Sequence, residues 1–343
     1  MKTFAAALLA PLLALALAAP AVAQPVPKTR DGHPDLSGAW SNVSLTKLER
    51  PGNLKGPTMT EAEATALAAN DPLRRAAEAD RKPSDPNAGA LAPGGALGHD
   101  AVFLDGGETY AKIRGEYRTA WIVDPADGRM PLTELGQRRK REAAAMSNRM
   151  DPAGPEDLAP NDRCLIGSRN SGGPGMLNNI YNSNYQFLLT RDALVVIVEM
   201  GFGVRIIPIH ADRAAAQAAH QPATLARWMG DSTAWWEGPT LVVETVDVRD
   251  EQGRFGPIFL SEKGRVTERL TRSSKDEIAY EFSVEDPVHY TRPWRAEMVM
   301  TALPGRIYEY ACHEGNYALP GILGGARAAE AEATKATPSG GGR

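Results

Sequence analysis

From Asn184 onward, apolar and polar residues alternate in short runs separated by tight-turn sequences. Nine runs fit strands with one buried face: 185–189, 194–199, 204–209, 233–236, 240–247, 265–272, 277–285, 294–301 and 306–312. Because turns join most of them, hairpins are expected rather than crossovers. The predicted fold class is therefore mainly all-β, an antiparallel meander closing into a barrel or half-barrel with a few peripheral helices. Only 212–229 interrupts the strands with helix, for which Asp212 supplies an N-cap.

Before Asn184 the pattern is less regular. Thr60 with Glu63 three residues on forms a capping box, and an Ala-rich helical stretch follows to about residue 80, broken at Asp71-Pro72. Residues 82–98, rich in Pro, Gly, Ser and Ala, read as a loop. Alternation over 117–123 predicts a strand, which Asp124-Pro125-Ala126-Asp127-Gly128-Arg129 ends in a turn. A helix over 136–145 carries Arg138-Arg139-Lys140-Arg141 as a solvated face. Residues 150–175 form a long irregular segment, and ordered loops of that length are often functional. The chain thus divides into a long irregular and helical region (24–115) packed on the barrel, a β-rich barrel-like domain (116–325) and a flexible tail (326–343).

Composition sets the address. Residues 1–23 read as an export signal: Lys2 gives the positive start, 5–18 the apolar run and Ala21-Val22-Ala23 the small-residue cleavage site. Its removal takes away one charged residue, Lys2, and moves the formal net charge from −4 to −5. That mild acidity argues against a nucleic-acid partner or an anionic membrane. No later segment has the ~20 uncharged apolar residues of a membrane span, so no membrane insertion is expected. A periplasmic or secreted protein is the reading. Its two cysteines, Cys164 and Cys312, are most simply one disulfide, and loop entropy puts the stabilisation by so long a closure at about 4–5 kcal/mol. A thiolate nucleophile or zinc–thiolate site is then not expected.

Candidate chemistry concentrates at Tyr308-Glu309-Tyr310-Ala311-Cys312-His313-Glu314-Gly315-Asn316-Tyr317. Alternation puts Tyr308, Tyr310 and Cys312 on one strand face, and Gly315 releases the strand into a turn with His313, Glu314 and Asn316 at its end. The competing reading is a disulfide anchor whose His and Glu only satisfy backbone groups. A hairpin tip at Gly201-Phe202-Gly203 sets Glu199 opposite Arg205, a charge pair in apolar strands, while a turn at Ser274-Lys275-Asp276 sets Arg269 near Glu281 on the solvent face. His313, Glu314 and Glu199 are the candidate catalytic residues. Arg205, Glu244, Tyr290, Asn316, Tyr117 and Trp235 are the candidate substrate-binding residues. Of the histidines, His33, His99 and His220 are expected to be exposed, while His210, His289 and His313 lie at strand ends. Nothing in their spacing demands a metal, and no cofactor is expected: no Gly-rich phosphate loop, Gly-x-Ser-x-Gly elbow or His-Glu-x-x-His occurs.

Gly38-Ala39-Trp40 is similar to the Gly-x-Trp that opens the first strand of lipocalin-like barrels, although a tryptophan that simply packs on the core is the stronger reading from the residues. A longer resemblance rests on Trp236-Glu237-Gly238-Pro239-Thr240-Leu241-Val242-Val243-Glu244-Thr245, on Glu285-Asp286-Pro287 with Tyr290-Thr291-Arg292-Pro293-Trp294, on Arg118-Thr119-Ala120-Trp121-Ile122-Val123-Asp124-Pro125, and on the C-terminal block above. Together they resemble a large group of exported bacterial proteins, frequent in acidobacteria and sphingomonads, with WEGDTLVVET-like and EYxCxEN-like blocks. Pro239 departs from the Asp usual there. The resemblance implies an exported, β-rich single domain and carries no established activity. Two functions follow from the residues. One is a cofactor-free acid–base enzyme, a lyase, isomerase or hydrolase, acting on an aromatic or sugar-like small molecule in a barrel cavity. The other is a lipocalin-like carrier of a small hydrophobic ligand, without proton chemistry.

Overall fold

Along Glu277–Glu285, Ile278, Tyr280, Phe282 and Val284 are buried while the residues between them stay half-exposed or better. Each such side chain contributes about 1.5–3 kcal/mol by leaving water, and this alternation repeats around a closed sheet. In this computed structural model, which describes residues 25–72, 74, 75, 78, 105–147, 151–225 and 227–336, the strands are β1 (Gly38–Ser41), β2 (Thr58–Met59), β3 (Lys112–Ile113), β4 (Glu116–Arg118), β5 (Ile122–Asp124), β6 (Asn184–Leu189) and β7 (Ala193–Val198). There follow β8 (Val204–His210), β9 (Asp231–Glu237), β10 (Thr240–Val246), β11 (Arg265–Arg272), β12 (Glu277–Glu285) and β13 (Trp294–Ala302). The helices are α1 (Glu61–Ala69), α2 (Glu134–Ser147), α3 (Arg213–Ala218), α4 (Asp250–Phe255) and α5 (Ala318–Ala336).

Strands β1 and β6 to β13 close into a nine-stranded barrel, sealed by β1 pairing with both β6 and β13. β5 extends the sheet beside the start of β13, and β2, β4 and β3 form a small separate sheet. The fold is therefore the mainly-β barrel with peripheral helices that the alternation predicts. Two details differ. β8 and β9 are parallel, because α3 and the 3-10 turn Ala223–Leu225 carry the chain back along the barrel, so the sheet is mixed rather than wholly antiparallel. Residues 306–312 form no strand: Trp40 and Ser41 of β1 already pair with Ala302 and Thr301 at the end of β13, leaving no free edge there, and Tyr308 is 75% exposed. The ninth stave is β1, which lies within the 24–115 region.

Smaller departures have local causes. The stretch 117–123 splits into β4 and β5 because Thr119 N–H bonds the Pro57 carbonyl and Trp121 N–H the Lys47 carbonyl. α2 begins at Glu134, earlier than 136, because Thr133 Oγ1 accepts from Gly136 N–H at 3.0 Å. Gly136 itself is required, since a Cβ there would fall 2.3 Å from the His289 carbonyl oxygen. The Thr60–Glu63 capping box forms as expected. In the basic run, Arg139 pairs with Asp250 at 2.5 Å and Lys140 with Glu49, both at the surface. Helix α5 runs through most of the expected tail, with Arg327 donating to the Pro152 and Ala153 carbonyls. The expected signal (1–23), the 82–98 loop and His99 lie outside the described residues.

The barrel is filled rather than hollow. Trp40, Tyr185, Phe187, Tyr280, Phe282 and Trp294 are all at most 1% exposed and belong to one core cluster. One end is closed by the segment before β1: His33 stacks on Trp236 at 4.3 Å, Trp40 Nε1 donates to the Leu36 carbonyl, and the Arg272 guanidinium lies 5.0 Å over the Trp40 ring. The other end is closed by the irregular segment 168–178. There Met176 N–H donates to Tyr280 Oη at 2.8 Å, Tyr185 Oη to the Ser171 carbonyl at 2.9 Å, and Gln252 Nε2 to the Gly173 carbonyl at 2.9 Å.

Candidate functional site

A cleft opens where β8 and β9 fail to pair. Val198 N–H donates to the Gly203 carbonyl and Ile209 N–H to the Asp192 carbonyl, both at 2.8 Å. In an antiparallel ladder such bonds alternate, so residues 205, 207 and 209 bond to β7, and the main-chain groups of 204, 206 and 208 face the β9 side. Yet the β8–β9 register contains only Ile209↔Ala234 and His210↔Trp235. Above that point the strands diverge around a cleft of about 590 Å³, with Val204, Ile206 and Pro208 on one wall and Asp231, Ser232 and Thr233 on the other. The crossover supplies Trp228 and Met229 as a third side.

Arg205 forms the floor. Its side chain, 3% exposed, holds Glu268 through Nη1 to Oε1 at 3.1 Å and Nη2 to Oε2 at 2.5 Å. Nη2 also reaches Ser232 Oγ at 3.2 Å and Thr245 Oγ1 at 3.3 Å, so the guanidinium bridges β8 and β9 where their ladder is open. Glu268 Oε1 further accepts from Tyr280 Oη at 2.6 Å and from Gly175 N–H at 3.3 Å. Burial alone pushes the Glu268 carboxyl up, but the Arg205 charge and these hydrogen bonds outweigh it and hold it below its ordinary value. Burial, and then the adjacent Glu268 charge, push the Tyr280 phenol well up, so it stays a donor. Gly173 at φ +82° lets the plug close over the pair, since a Cβ there would lie 2.5 Å from Arg205 Nη1. Two buried atoms of residues along β8 make no hydrogen bond, Arg205 Nε on the inward side of the strand and His210 Nε2 on the opposite side.

Behind the cleft, on the outer face of the sheet, the crossover is held by His220. Its Nδ1 lies 2.8 Å from Asp231 Oδ2, and its Nε2 lies 3.3 Å from Thr233 Oγ1 and 3.4 Å from Glu244 Oε1. Glu244, 2% exposed, also accepts from Gln217 Nε2 and faces Arg265 at 3.4 Å. Asp231 accepts from Gln221 N–H and from Arg227. Burial, then the Asp231 charge, raise the carboxyl of neighbouring Asp247. The acids here are crowded, and each cation is already engaged.

The residues singled out by sequence fall in several places. Arg205 lines the cleft, and Glu244 and Trp235 lie on the outer face beside it, Trp235 packing on Ala216 and Val242 with Nε1 donating to Glu237 Oε1 at 2.9 Å. Glu199 does not meet Arg205. It leaves β7 with helical φ/ψ and accepts from Asn182 Nδ2 at 3.0 Å, because the 3-10 turn Met200–Phe202, with Gly201 at φ 76°, shifts the register so that Val196 opposes Arg205. Tyr290 is buried, its Oη accepting from Phe259 N–H at 2.9 Å, and Tyr117 sits in the small sheet with Lys112 5.1 Å from its ring. His313 and Glu314 are exposed on a turn outside the barrel, not at a strand end. Cys164 and Cys312 form the disulfide, 148 positions apart in sequence, and Asn316 donates to Cys164 Sγ at 3.3 Å while accepting from Ala318 N–H as the start of α5. The C-terminal block is thus an anchor. Arg269 opposes Glu281 on the solvent face as expected, although Arg269 bonds Glu237 and Glu281 bonds Arg114.

Sequence reading passed over His220, which is half-buried rather than exposed, and over Asp231, Ser232 and Glu268. The usable signal was Glu268 at an inward position of β11, between Val266 and Leu270, which requires a buried cation elsewhere. Among the described residues no group of three or more His, Cys, Asp or Glu is placed to hold a metal ion, and no helix is long and apolar enough to cross a membrane. No protein-family model, curated protein or solved structure matches the chain.

Proposed function

We propose that this is an exported enzyme that binds a small molecule in the β8–β9 cleft and moves a proton on it without a cofactor, as a lyase, isomerase or hydrolase does. The observation that carries this reading is the cleft of about 590 Å³, in which the His210 side chain stands on the same strand face as Val204, Ile206 and Pro208, with Asp231 and Thr233 on the facing wall. Arg205, turned inward beneath the cleft and held by Glu268, Ser232 and Thr245, keeps the wall in place. His210 supplies an imidazole nitrogen, able to take a proton from a bound molecule or return one. Trp228 and Met229 give the apolar surface that a small-molecule site needs.

A second reading, ligand binding without turnover, is favoured by the exposed apolar rim, where Ile206 is 68% and Val204 45% exposed. Untargeted metabolite profiling separates the two. Wild type and His210→Ala are incubated with the same bacterial extract. Compounds consumed by wild type alone support the enzyme. Compounds retained equally by both proteins and consumed by neither support the carrier and overturn the enzyme.

A further inference from the structure

The outer surface of the barrel divides by charge. On β11, β12 and β13 the residues that face out include Arg265, Arg269, Glu277, Glu281, Glu285 and Arg295. On β6, β7 and β8 they include no Asp, Glu, Lys or Arg. The register sets Leu188 beside Val195 and Val195 beside Ile206, and the next row sets Gln186 beside Ile197 and Ile197 beside Val204. These rows make one continuous apolar face, and it is open to water: Leu188 is 46%, Val204 45% and Ile206 68% exposed. Helix α3 does not cover it, because Ala216 packs beyond β8, on Trp235 and Val242. A contiguous apolar patch of this kind marks a contact surface.

Its make-up selects among occupants. Without charge it offers nothing to hold a charged peptide or a phosphate-bearing surface, and the charged face of β11 to β13 would lose the hydration of its ionic groups against it. The surface that matches it in twist and in lack of charge is the same face of another molecule, since two sheets of one hand pack about 10 Å apart at about −30° with their side chains interdigitating. We infer that a second copy of this chain docks on β6 to β8 in a two-fold contact, with Val195 and Ile197 of the central strand β7 near the axis. Three strands and the outward residues along them present on the order of 500 Å² per copy, so about 1,000 Å² in total, at the lower limit for a specific interface. The dimer is therefore weak and reversible, with a dissociation constant of roughly 10–100 µM.

Sedimentation equilibrium of the oxidised protein from about 5 to 500 µM brackets that range. The expected result is a rise from monomer to dimer mass with concentration. Ile206→Glu puts a charge into one of the two rows and should weaken association at least tenfold, whereas Ser283→Glu, opposite Arg295 on the charged face, should leave it unchanged. Because Ile206 is largely exposed, the variant should keep the wild-type urea midpoint. Benzoylphenylalanine placed at Ile197 should cross-link to β6 to β8 of the second copy. Monomer mass throughout overturns the inference. So does a dimer that Ile206→Glu leaves unweakened, or whose cross-links fall outside β6 to β8, since another surface then holds the copies. Monomer mass with flotation of wild type, but not of Ile206→Glu, on phosphatidylcholine vesicles overturns it in favour of a neutral lipid surface. None of these results bears on the proposed function, which the metabolite comparison tests by itself.

Discussion

Arg205 on β8 and Glu268 on β11 meet inside the barrel with Nη2 2.5 Å from Oε2, both side chains sealed from water. The pair is held from four directions, by Ser232, Thr245, Tyr280 and the main chain of Gly175. Glu268→Gln leaves an uncompensated buried guanidinium and should cost about 3–5 kcal/mol in urea unfolding. The double variant Arg205→Met with Glu268→Leu should recover most of that loss, because a well-packed apolar pair has no charge to desolvate. A single and a double variant equally unstable would show that the pair's surroundings, not its charge balance, set the cost.

Asp286 makes acid sensitivity predictable. Burial opposes its ionisation, but His289 and the main-chain donors of Ser261 and Val288 outweigh burial and pull its carboxyl down from 3.8 to about 2. A carboxyl lowered in the folded state binds its proton more readily when unfolded. Its stabilisation is therefore complete above about pH 4 and is lost as pH falls toward 2, on the order of 2 kcal/mol in all. Asp286→Asn should lower stability at pH 7 and flatten the slope between pH 4 and 2, read from urea midpoints across that range. Glu268, also held low, adds to the same acid limb.

Reducing the Cys164–Cys312 disulfide should release the C-terminal block while the barrel stays closed. Apart from that bond, the block and the helix after it are held by Tyr310 packing on the core, the Arg327 contacts to Pro152 and Ala153, and Asn316 against Cys164. Hydrogen exchange should rise in 306–336 and 151–167 and stay unchanged in β10 to β13. The overall loss should not exceed about 4–5 kcal/mol. Faster exchange throughout the barrel would show that the loop's anchor also governs the core.

His220→Gln should loosen the crossover without opening the barrel, since His220 holds Asp231 and Thr233 from outside the sheet. A loss of about 1–2 kcal/mol is expected from the broken hydrogen bonds. Proteolytic cleavage should appear first within 219–230. Cleavage unchanged from wild type would mean that α3 packing on Trp235 is sufficient to hold the crossover.

The barrel was legible because most of its staves carry alternation that matches their burial: Leu194, Val196 and Val198 on β7 face inward just as the pattern predicts. Tyr308, Tyr310 and Cys312 alternate as well, yet alternation specifies a face only where an edge is free to pair, and β1 occupies that edge. Glu199 and Arg205 were both read correctly as charges among apolar neighbours. Their pairing was not legible, since one helical turn at Met200–Phe202 moves the register, and the true partner, Glu268, lies 63 residues further on. The cleft itself has no local signature. It exists because a parallel crossover leaves β8 half paired, a consequence of topology rather than of any short motif.

The most direct measurement is a crystallographic fragment screen on the oxidised protein. Fragments are predicted to collect between β8 and β9, against Trp228 and Met229 and beside Ser232 and Thr233. Fragments gathering instead at the exposed His313–Glu314 turn, with the cleft empty across the whole screen, would contradict the assignment of the site to the barrel wall.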